Sequence, residues 1–269
     1  MYRKILLPVR DASEVEPLVR FGATLLDADG EIRLLHVIPS TALPQVTRAW
    51  RASVDLIVPA HEAGAALDVK VDAEVRAATD VPGEILESAE SHGVDAILLT
   101  LTGDKRSRNP FVGHTASGVL QHAHADVVVL NRLALVAHGY PRILVPAFRA
   151  DPPPKVLRVA EELSVRHNGI PIVALALLPR GPEADADSGV EDQSARGVAI
   201  TRKPTFFPAA TMGRRRRLPE LLLQAAARER FGLVLVGEES EQATSPMLTR
   251  RFLEELFRAA PCPVMALRV

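Results

Sequence analysis

The residues of this chain best suited to chemistry lie in a basic, glycine-containing loop between Thr100 and Thr115. Glycines at 103 and 113 let backbone N–H groups approach an anion closely. Three basic side chains between the glycines add positive charge: Lys105, Arg106 and Arg108. The second glycine and His114 open a predicted helix, whose first N–H groups and positive dipole end favour an anion. The loop therefore indicates a phosphate-binding site.

Side chains arranged for catalysis or for metal binding are not evident elsewhere in the sequence. There is no Ser/His/Asp arrangement, no carboxylate pair and no set of ligands at metal spacing. His122 and His124 are two residues apart, so they do not share a helix face. The single cysteine, Cys262, excludes an internal disulfide and a cysteine-based zinc site. We therefore expect a protein that is not an enzyme and requires no metal.

Composition is typical of a soluble globular protein. The 269 residues are 47% hydrophobic and 24% charged, with a formal net charge of −1. This balance gives no general attraction to nucleic acid or to a membrane surface, so we expect neither as a partner. The first residues run directly into a strand pattern without a signal peptide, and no apolar run approaches the ~20 residues of a membrane span. A cytoplasmic location is expected.

Alternating short apolar runs and helical patterns must position the loop. The run Ile5–Val9 predicts a strand buried on both faces. A helix is predicted over residues 14–28, ended by Asp29 and Gly30, and a second strand over Ile32–Val37. Strands separated by helices favour parallel pairing, hence an α/β fold with a doubly wound sheet. Ligands bind such sheets beyond the carboxyl ends of the strands, where the glycine loop is expected to lie.

The pattern occurs twice. Ile5–Val9 returns as Ile143–Ala147, 138 residues later, and Val127–Leu130 returns as Val264–Leu267, 137 residues later. A repeat of this length predicts two copies of one domain, which we place at residues 1–135 and 136–269. Residues 181–196 are acidic and poor in large apolar side chains, and they predict a flexible loop in place of the second copy's connecting helix or of part of it.

Both copies resemble the universal stress protein family in its tandem form. Tyr2–Val9 is similar to that family's first strand, Leu34–Pro39 to its second, and Val119–Ala123 and Arg258–Val264 to its last helix and strand. The resemblance implies two doubly wound parallel-sheet domains of the universal stress protein and adenine nucleotide alpha hydrolase-like type. It also implies that their last strands pair antiparallel, which makes the chain an internal pseudo-dimer.

Members of the family that bind ATP carry a loop of glycine, two residues, glycine, nine residues, glycine and a serine or threonine. Here Thr100 replaces the first glycine, the other two are present, and His114 replaces the hydroxyl residue, with Thr115 next to it. Such members also carry an aspartate after the first strand, where this chain has Arg10 followed by Asp11. Arginine should weaken recognition of ribose hydroxyls, or it could favour an extra phosphate or another anion.

By resemblance, Val9 and Val37 would flank an adenine base, and the loop residues would surround the phosphates. The candidate nucleotide-binding residues are Pro8, Val9, Arg10, Val37, Gly103, Gly113, His114 and Thr115.

The second copy departs further from the ATP-binding pattern. Phe148 stands at the aspartate position, and Arg250 replaces the last glycine of the loop. Glu238 and Glu239 would repel a phosphate. This copy is therefore expected not to bind ATP in the family manner. The run Arg214–Arg217 is either a solvated loop or a capture site for an anion, and the sequence leaves both readings open.

Three functions follow from these observations. The leading hypothesis is a stress-response protein whose first domain binds ATP or another adenine nucleotide, while the second domain is a degenerate copy. The alternative is a nucleotide-free regulatory or structural module that binds an unknown protein partner. A third is an ATP-hydrolysing enzyme, for which the sequence offers no evident base or metal ligand. Whether two chains assemble into a homodimer is left open.

Overall fold

The computed structural model describes residues 1–40, 43–101, 114–131, 141–147, 152–179, 190–193, 197–207, 217–238 and 250–268. The chain divides into two compact units, residues 1–129 (unit 1) and residues 130–269 (unit 2). Each unit has a mostly parallel sheet whose strands alternate with helices along the chain. The α/β class predicted from the sequence is confirmed.

The elements of unit 1 follow the predicted alternation, and its last strand runs across the boundary between the units. In chain order they are β1 (Tyr2–Val9), a 3-10 turn (Ala12–Glu14), α1 (Val15–Ala23), β2 (Leu26–Ile38), α2 (Leu43–Ala66), β3 (Lys70–Ala77), α3 (Val81–Ser91), β4 (Ala96–Leu101), α4 (His114–His122) and β5 (Asp126–Asn131). The strand order is β3-β2-β1-β4-β5, and β1 pairs in parallel with both β2 and β4. The order therefore reverses between β1 and β4.

The first helix ends earlier than its sequence pattern predicts. It stops at Ala23 instead of continuing to residue 28, because Thr24 turns the chain by bonding to Phe21 O through both its N–H and its hydroxyl. Leu26 is then buried as the first residue of β2. The stop predicted at Asp29 and Gly30 was wrong, because both residues lie inside that strand.

The long helix α2 buries one side and exposes another. Leu56 and Ala60, four residues apart, are buried. Trp50, Val54 and Val58, also at intervals of four, are each about half exposed, and the exposed fraction of Trp50 is 50%. Spacing of four places each set along one side of the helix. The only tryptophan of the chain is therefore in contact with solvent.

The elements of unit 2 repeat this plan, except that a strand is described where unit 1 has the helix α2. In chain order they are β6 (Ile143–Ala147), α5 (Pro154–Arg166), β7 (Ile172–Pro179), β8 (Val190–Gln193), β9 (Ala199–Phe207), α6 (Arg217–Arg228), β10 (Leu233–Glu238), α7 (Arg250–Ala259) and β11 (Val264–Arg268). Within the unit the order is β11-β10-β6-β7-β9-β8, and β6 pairs in parallel with β7 and β10. The counterpart of the reversal therefore lies between β6 and β10.

The added strand β8 lies in the segment for which the sequence predicts a flexible loop. It pairs antiparallel with β9, from Val190 opposite Arg202 to Gln193 opposite Ala199. For residues 190–193 the loop prediction was wrong, because the exposed edge of β9 offers backbone partners that composition alone does not reveal. Residues 181–189 and 194–196 lie outside the described part of the chain.

Among the described helices, none combines the length and the apolar character needed to cross a bilayer.

Candidate functional site

The order reversal in unit 1 defines the candidate site. The parallel strands β1 and β4 end at Val9 and Leu101, on the same edge of the sheet, and α4 begins at His114 after the connection that follows β4. Ligands of open parallel sheets bind in the crevice outside the carboxyl ends of the strands at such a reversal. We call this edge of unit 1 the carboxyl edge.

The structure brings the predicted residues of the first two strands to this edge. Val9 is the last residue of β1 and is buried, and Pro8 beside it is partly exposed. Val9 pairs in register with His36, whose Nδ1 donates to Val9 O at 3.0 Å. Val37 follows in β2 and is buried. Pro8, Val9 and Val37 therefore lie near one another at the ends of neighbouring strands.

Arg10 belongs to a polar cluster that joins the ends of β1 and β4. Its backbone N–H donates to Glu14 Oε2 at 3.1 Å, and its Nη2 donates to Glu14 Oε1 at 2.9 Å. The hydroxyl of Thr100, near the end of β4, donates to the same Oε1 at 3.3 Å. One carboxylate thus links residues that are 86 positions apart in the chain. We call Arg10, Glu14 and Thr100 the carboxylate cluster.

Glu14 is the residue of the site that the sequence analysis missed. It is 5% exposed, and a buried carboxylate is costly unless it is paired and hydrogen-bonded. In the sequence it resembles an ordinary polar residue at the start of a helix. The available signal is its spacing of four from Arg10, which suits an ion pair, but nothing in the sequence shows that Thr100 completes the arrangement.

Asp11 shapes the turn between β1 and α1. Its Oδ1 accepts hydrogen bonds from the backbone N–H of Ser13 at 3.0 Å and from the Ser13 hydroxyl at 2.5 Å. These bonds cap the 3-10 turn, as expected of an aspartate before a helical segment. The Asp11 carboxylate therefore has a local structural role in the turn.

The phosphate-binding part of the prediction is only partly within the described residues. Gly103 and Gly113 lie outside them, as do Lys105, Arg106 and Arg108. His114 is the first residue of α4, and Thr115 follows as a partly exposed residue. Farther along α4, Gly118 packs closely on Pro82 of α3, since a Cβ there would lie 2.9 Å from Pro82 Cβ. This contact helps position the helix that starts at the site.

The corresponding edge of unit 2 lacks the carboxylate cluster. Pro152 stands at the position of Glu14, 138 residues later, and it is buried. Gly237 stands at the position of Thr100, 137 residues later. A Cβ at Gly237 would lie 2.6 Å from Val156 Cγ2 and 2.8 Å from Leu267 O. Val156 and the backbone of Leu267 therefore fill the space that a side chain such as that of Thr100 would need.

Metal binding has no visible support in the described part of the chain, where no three His, Cys, Asp or Glu side chains are grouped so that they could hold an ion.

Comparison with known proteins identifies the family. The model of the universal stress protein family matches residues 1–131. Universal stress protein G of Shigella flexneri is 32% identical over 151 aligned residues, which cover 49% of this chain and all of that protein. The chain belongs to the universal stress protein family. Universal stress protein G of Escherichia coli O157:H7 matches with the same identity and coverage.

Solved structures of this family extend the likeness in fold over almost the whole chain. A universal stress protein from Archaeoglobus fulgidus superposes with a TM-score of 0.68 at 15% identity, covering 98% of this chain and 97% of its own. A Pseudomonas aeruginosa protein named for the same family has a TM-score of 0.65 at 12% identity, with coverage of 99% and 93%. At these identities the likeness concerns the fold, and it includes unit 2 as well as unit 1.

Proposed function

We propose that this universal stress protein is a tandem member of its family that binds ATP or another adenine nucleotide at the carboxyl edge of unit 1. The observation that carries the proposal is the order reversal between β1 and β4, with Val9, Arg10 and Thr100 at the strand ends and the start of α4 on the same edge. This is where doubly wound sheets bind nucleotides. The glycines at 103 and 113 support a phosphate site beside it.

Unit 2 has the role of a degenerate copy in this proposal. Its edge carries Pro152 and Gly237 in place of Glu14 and Thr100, and Arg250 replaces the glycine that would precede its last helix. A side chain at that position hinders the close approach of backbone N–H groups to a phosphate. We accordingly propose one nucleotide per chain, with unit 2 serving packing or protein binding.

Further parts of the proposal follow from the sequence. We propose binding without catalysis, action in the cytoplasm, and assembly of two chains into a homodimer. Size-exclusion chromatography with light scattering tests the homodimer, and a phosphate-release assay tests the absence of hydrolysis. A dimer mass and no release above the buffer rate are the expected results.

A matched pair of substitutions tests nucleotide binding. Gly113→Arg gives unit 1 the residue that unit 2 has 137 positions later, and Arg250→Gly makes the reverse change in unit 2. In calorimetric titrations with ATP, the native protein should bind one equivalent, G113R should lose at least about tenfold in affinity, and R250G should keep it. No heat of binding at millimolar ATP would remove the nucleotide proposal.

A melting experiment supplies an independent measurement. A ligand that binds only the folded protein stabilises it by about 2.7 kcal/mol at a concentration of 100 Kd. The native protein and R250G should therefore melt at a higher temperature with ATP, and G113R should show a clearly smaller rise.

The second candidate is a nucleotide-free interaction module, and the carboxylate cluster favours it. Arg10 and Glu14 bond to each other at the edge where a nucleotide would bind, so they could satisfy that edge without a ligand. This candidate requires that ATP leave the melting temperature of the native protein unchanged, whereas the leading proposal requires a rise.

A further inference from the structure

The carboxylate cluster holds Arg10 in a defined position at the carboxyl edge. Glu14 accepts from the Arg10 backbone N–H, from Arg10 Nη2 and from the Thr100 hydroxyl. The Glu14 side chain is buried, whereas the Arg10 side chain is 61% exposed. A buried carboxylate that bonds to both the main chain and the side chain of one arginine restricts that arginine's conformations.

The guanidinium retains donors for a ligand. It has five N–H groups in a planar fork, and within the described part of the chain only Nη2 bonds to protein, through Glu14. A planar fork matches the geometry of a phosphate and can bind it through two N–H groups. An arginine already held in position also loses less conformational entropy on binding than a free one.

The location of Arg10 indicates which part of a nucleotide it would meet. It directly follows β1, beside the order reversal, and its partner Thr100 lies near the end of β4. In dinucleotide-binding sheets of this kind, a carboxylate beyond the second strand accepts hydrogen bonds from ribose hydroxyls, or an arginine nearby accommodates a phosphate on the ribose. Val9, directly before Arg10, pairs with His36 near the end of the second strand, so Arg10 lies beside that position. Here Glu14 is buried and accepts three hydrogen bonds, whereas the Arg10 side chain is exposed.

We infer that Arg10 is a specificity-determining residue that selects an adenine nucleotide carrying a phosphate on its ribose, at the 2′ or 3′ position, as well as at the 5′ position. This inference rests on the proposed function, because it names the preferred ligand of the same site. Glu14 is the positioning residue for Arg10. Unit 2, with Phe148 at the position of Arg10 and Pro152 at that of Glu14, lacks both groups.

Nearby negative charge limits the size of the effect. The Glu14 charge offsets that of Arg10, and Asp11 is the next residue in the chain. However, Glu14 accepts three hydrogen bonds, and Asp11 Oδ1 is engaged by Ser13. Selection therefore comes from directed donors more than from net charge, and a preference of about tenfold is expected.

Calorimetric titration of the full chain with three ligands tests the inference: AMP, adenosine 2′,5′-bisphosphate and adenosine 3′,5′-bisphosphate. At least one bisphosphate should bind about tenfold more tightly than AMP. The two bisphosphates distinguish the two ribose positions. Inorganic phosphate at the same concentration is the competitor, and it should not displace the preferred bisphosphate.

Three variants assign the preference to Arg10. Arg10→Gln keeps a donor for Glu14 but removes the charged fork, so the ratio of AMP to bisphosphate dissociation constants should fall to near one. Glu14→Gln keeps Arg10 but loosens it, so the ratio should fall partway. Arg20→Gln is the matched control, because Arg20 forms an exposed ion pair with Glu16 at the same spacing of four, and its ratio should equal that of the native protein.

The outcomes separate this inference from the proposed function. Equal binding of AMP and both bisphosphates would overturn the inference and leave the nucleotide site intact. Binding of none of the three, with ATP also inactive, would overturn both. If Arg10→Gln does not fold, as judged by circular dichroism, Arg10→Lys replaces it. That variant keeps the charge without the fork and should still lose most of the preference.

Discussion

The carboxyl edges of the two units have the same strand order around the reversal and opposite surface chemistry. In unit 1 a buried carboxylate, Glu14, joins the ends of β1 and β4 through Arg10 and Thr100. In unit 2 Gly237 lets α5 approach β10 so closely that Val156 occupies the space of a side chain. The comparison teaches that the sheet can be preserved while the edge changes from a polar site to a packed surface.

The connection between the second and third parallel strands differs as well. Unit 1 uses the helix α2, which packs on β3 and exposes Trp50, whereas unit 2 adds the edge strand β8 beside β9. Helix α2 packs on β3, the outermost strand of unit 1, and β8 pairs with β9, the outermost parallel strand of unit 2. Substitutions at equivalent positions can therefore measure how far the two units have diverged.

The largest effect is expected from exchanging Thr100 and Gly237. Gly237→Thr places a Cβ within 2.8 Å of the backbone oxygen of Leu267, so the structure must shift, and the free energy of unfolding should fall by about 3 kcal/mol. Thr100→Gly should cost only about 1 kcal/mol, from a lost hydrogen bond and added chain entropy. Urea unfolding of both variants measures the difference. Equal losses would mean that the two edges are equally packed.

The next effect concerns a buried hydrogen bond between the first and last strands of unit 1. The Tyr2 hydroxyl donates to Asp126 Oδ2 at 3.0 Å. Tyr2→Phe should lower the free energy of unfolding by about 1–3 kcal/mol, because a buried carboxylate loses a donor. Tyr140→Phe is the matched control, since Tyr140 stands 138 residues after Tyr2 and unit 2 has Pro263 at the position of Asp126. Tyr140→Phe should lower the free energy of unfolding by less than Tyr2→Phe does. A larger loss for Tyr140→Phe would contradict this account.

The same tyrosine predicts a loss of stability at high pH. Burial, and then the Asp126 charge, raise the pKa of Tyr2 above its ordinary value. Above pH ~10 a tyrosine in the unfolded chain loses its proton while folded Tyr2 keeps it, so the free energy of unfolding falls as pH rises. Between pH 9 and 11, the free energy of unfolding measured by denaturation should fall more steeply with pH for the native protein than for Tyr2→Phe. Parallel curves would mean that Tyr2 does not carry the effect.

A smaller effect is expected at the surface of unit 1, where unit 2 has no equivalent. Lys70 and then Lys4 lower the pKa of Glu31 to about 2. Pro171, directly before β7, stands at the position that matches Glu31 when the strand registers of the two units are compared. Glu31→Gln should lower the free energy of unfolding by about 0.5 kcal/mol at neutral pH, since the pair is screened by solvent. The stabilisation is present above the unfolded pKa and disappears as pH falls through about 2. A difference that persists below this pH would exclude the ion pairs as its cause.

The apolar runs made the fold predictable. Ile5, Leu6 and Leu7 are fully buried, as a continuous apolar run at the centre of a parallel sheet should be. The end of α1 was not predictable, because Thr24 turns the chain and Leu26 is buried against β1 only in the folded protein. Asp29 and Gly30 resembled a helix stop, because local propensity carries no information on the pairing of β2 with β1.

The site was harder to predict than the fold. The ends of β1 and β2 could be placed from the alternation of strands and helices, so Val9, Arg10 and Val37 could be located at the carboxyl edge, and their role in nucleotide binding stays a prediction. Glu14 could not be identified, because its importance depends on burial and on a bond to Thr100, far away in the chain. Strand β8 was missed for a similar reason, since its stability comes from the edge of β9.

The position of the only tryptophan gives the molecule a built-in optical reporter. Because Trp50 lies on α2 and is half in contact with solvent, its emission reports on the first half of the chain alone, and iodide should quench it in the native state. Far-ultraviolet dichroism, in contrast, follows the helices of both halves. Recording the two signals during one denaturation would reveal whether the halves melt together or in sequence.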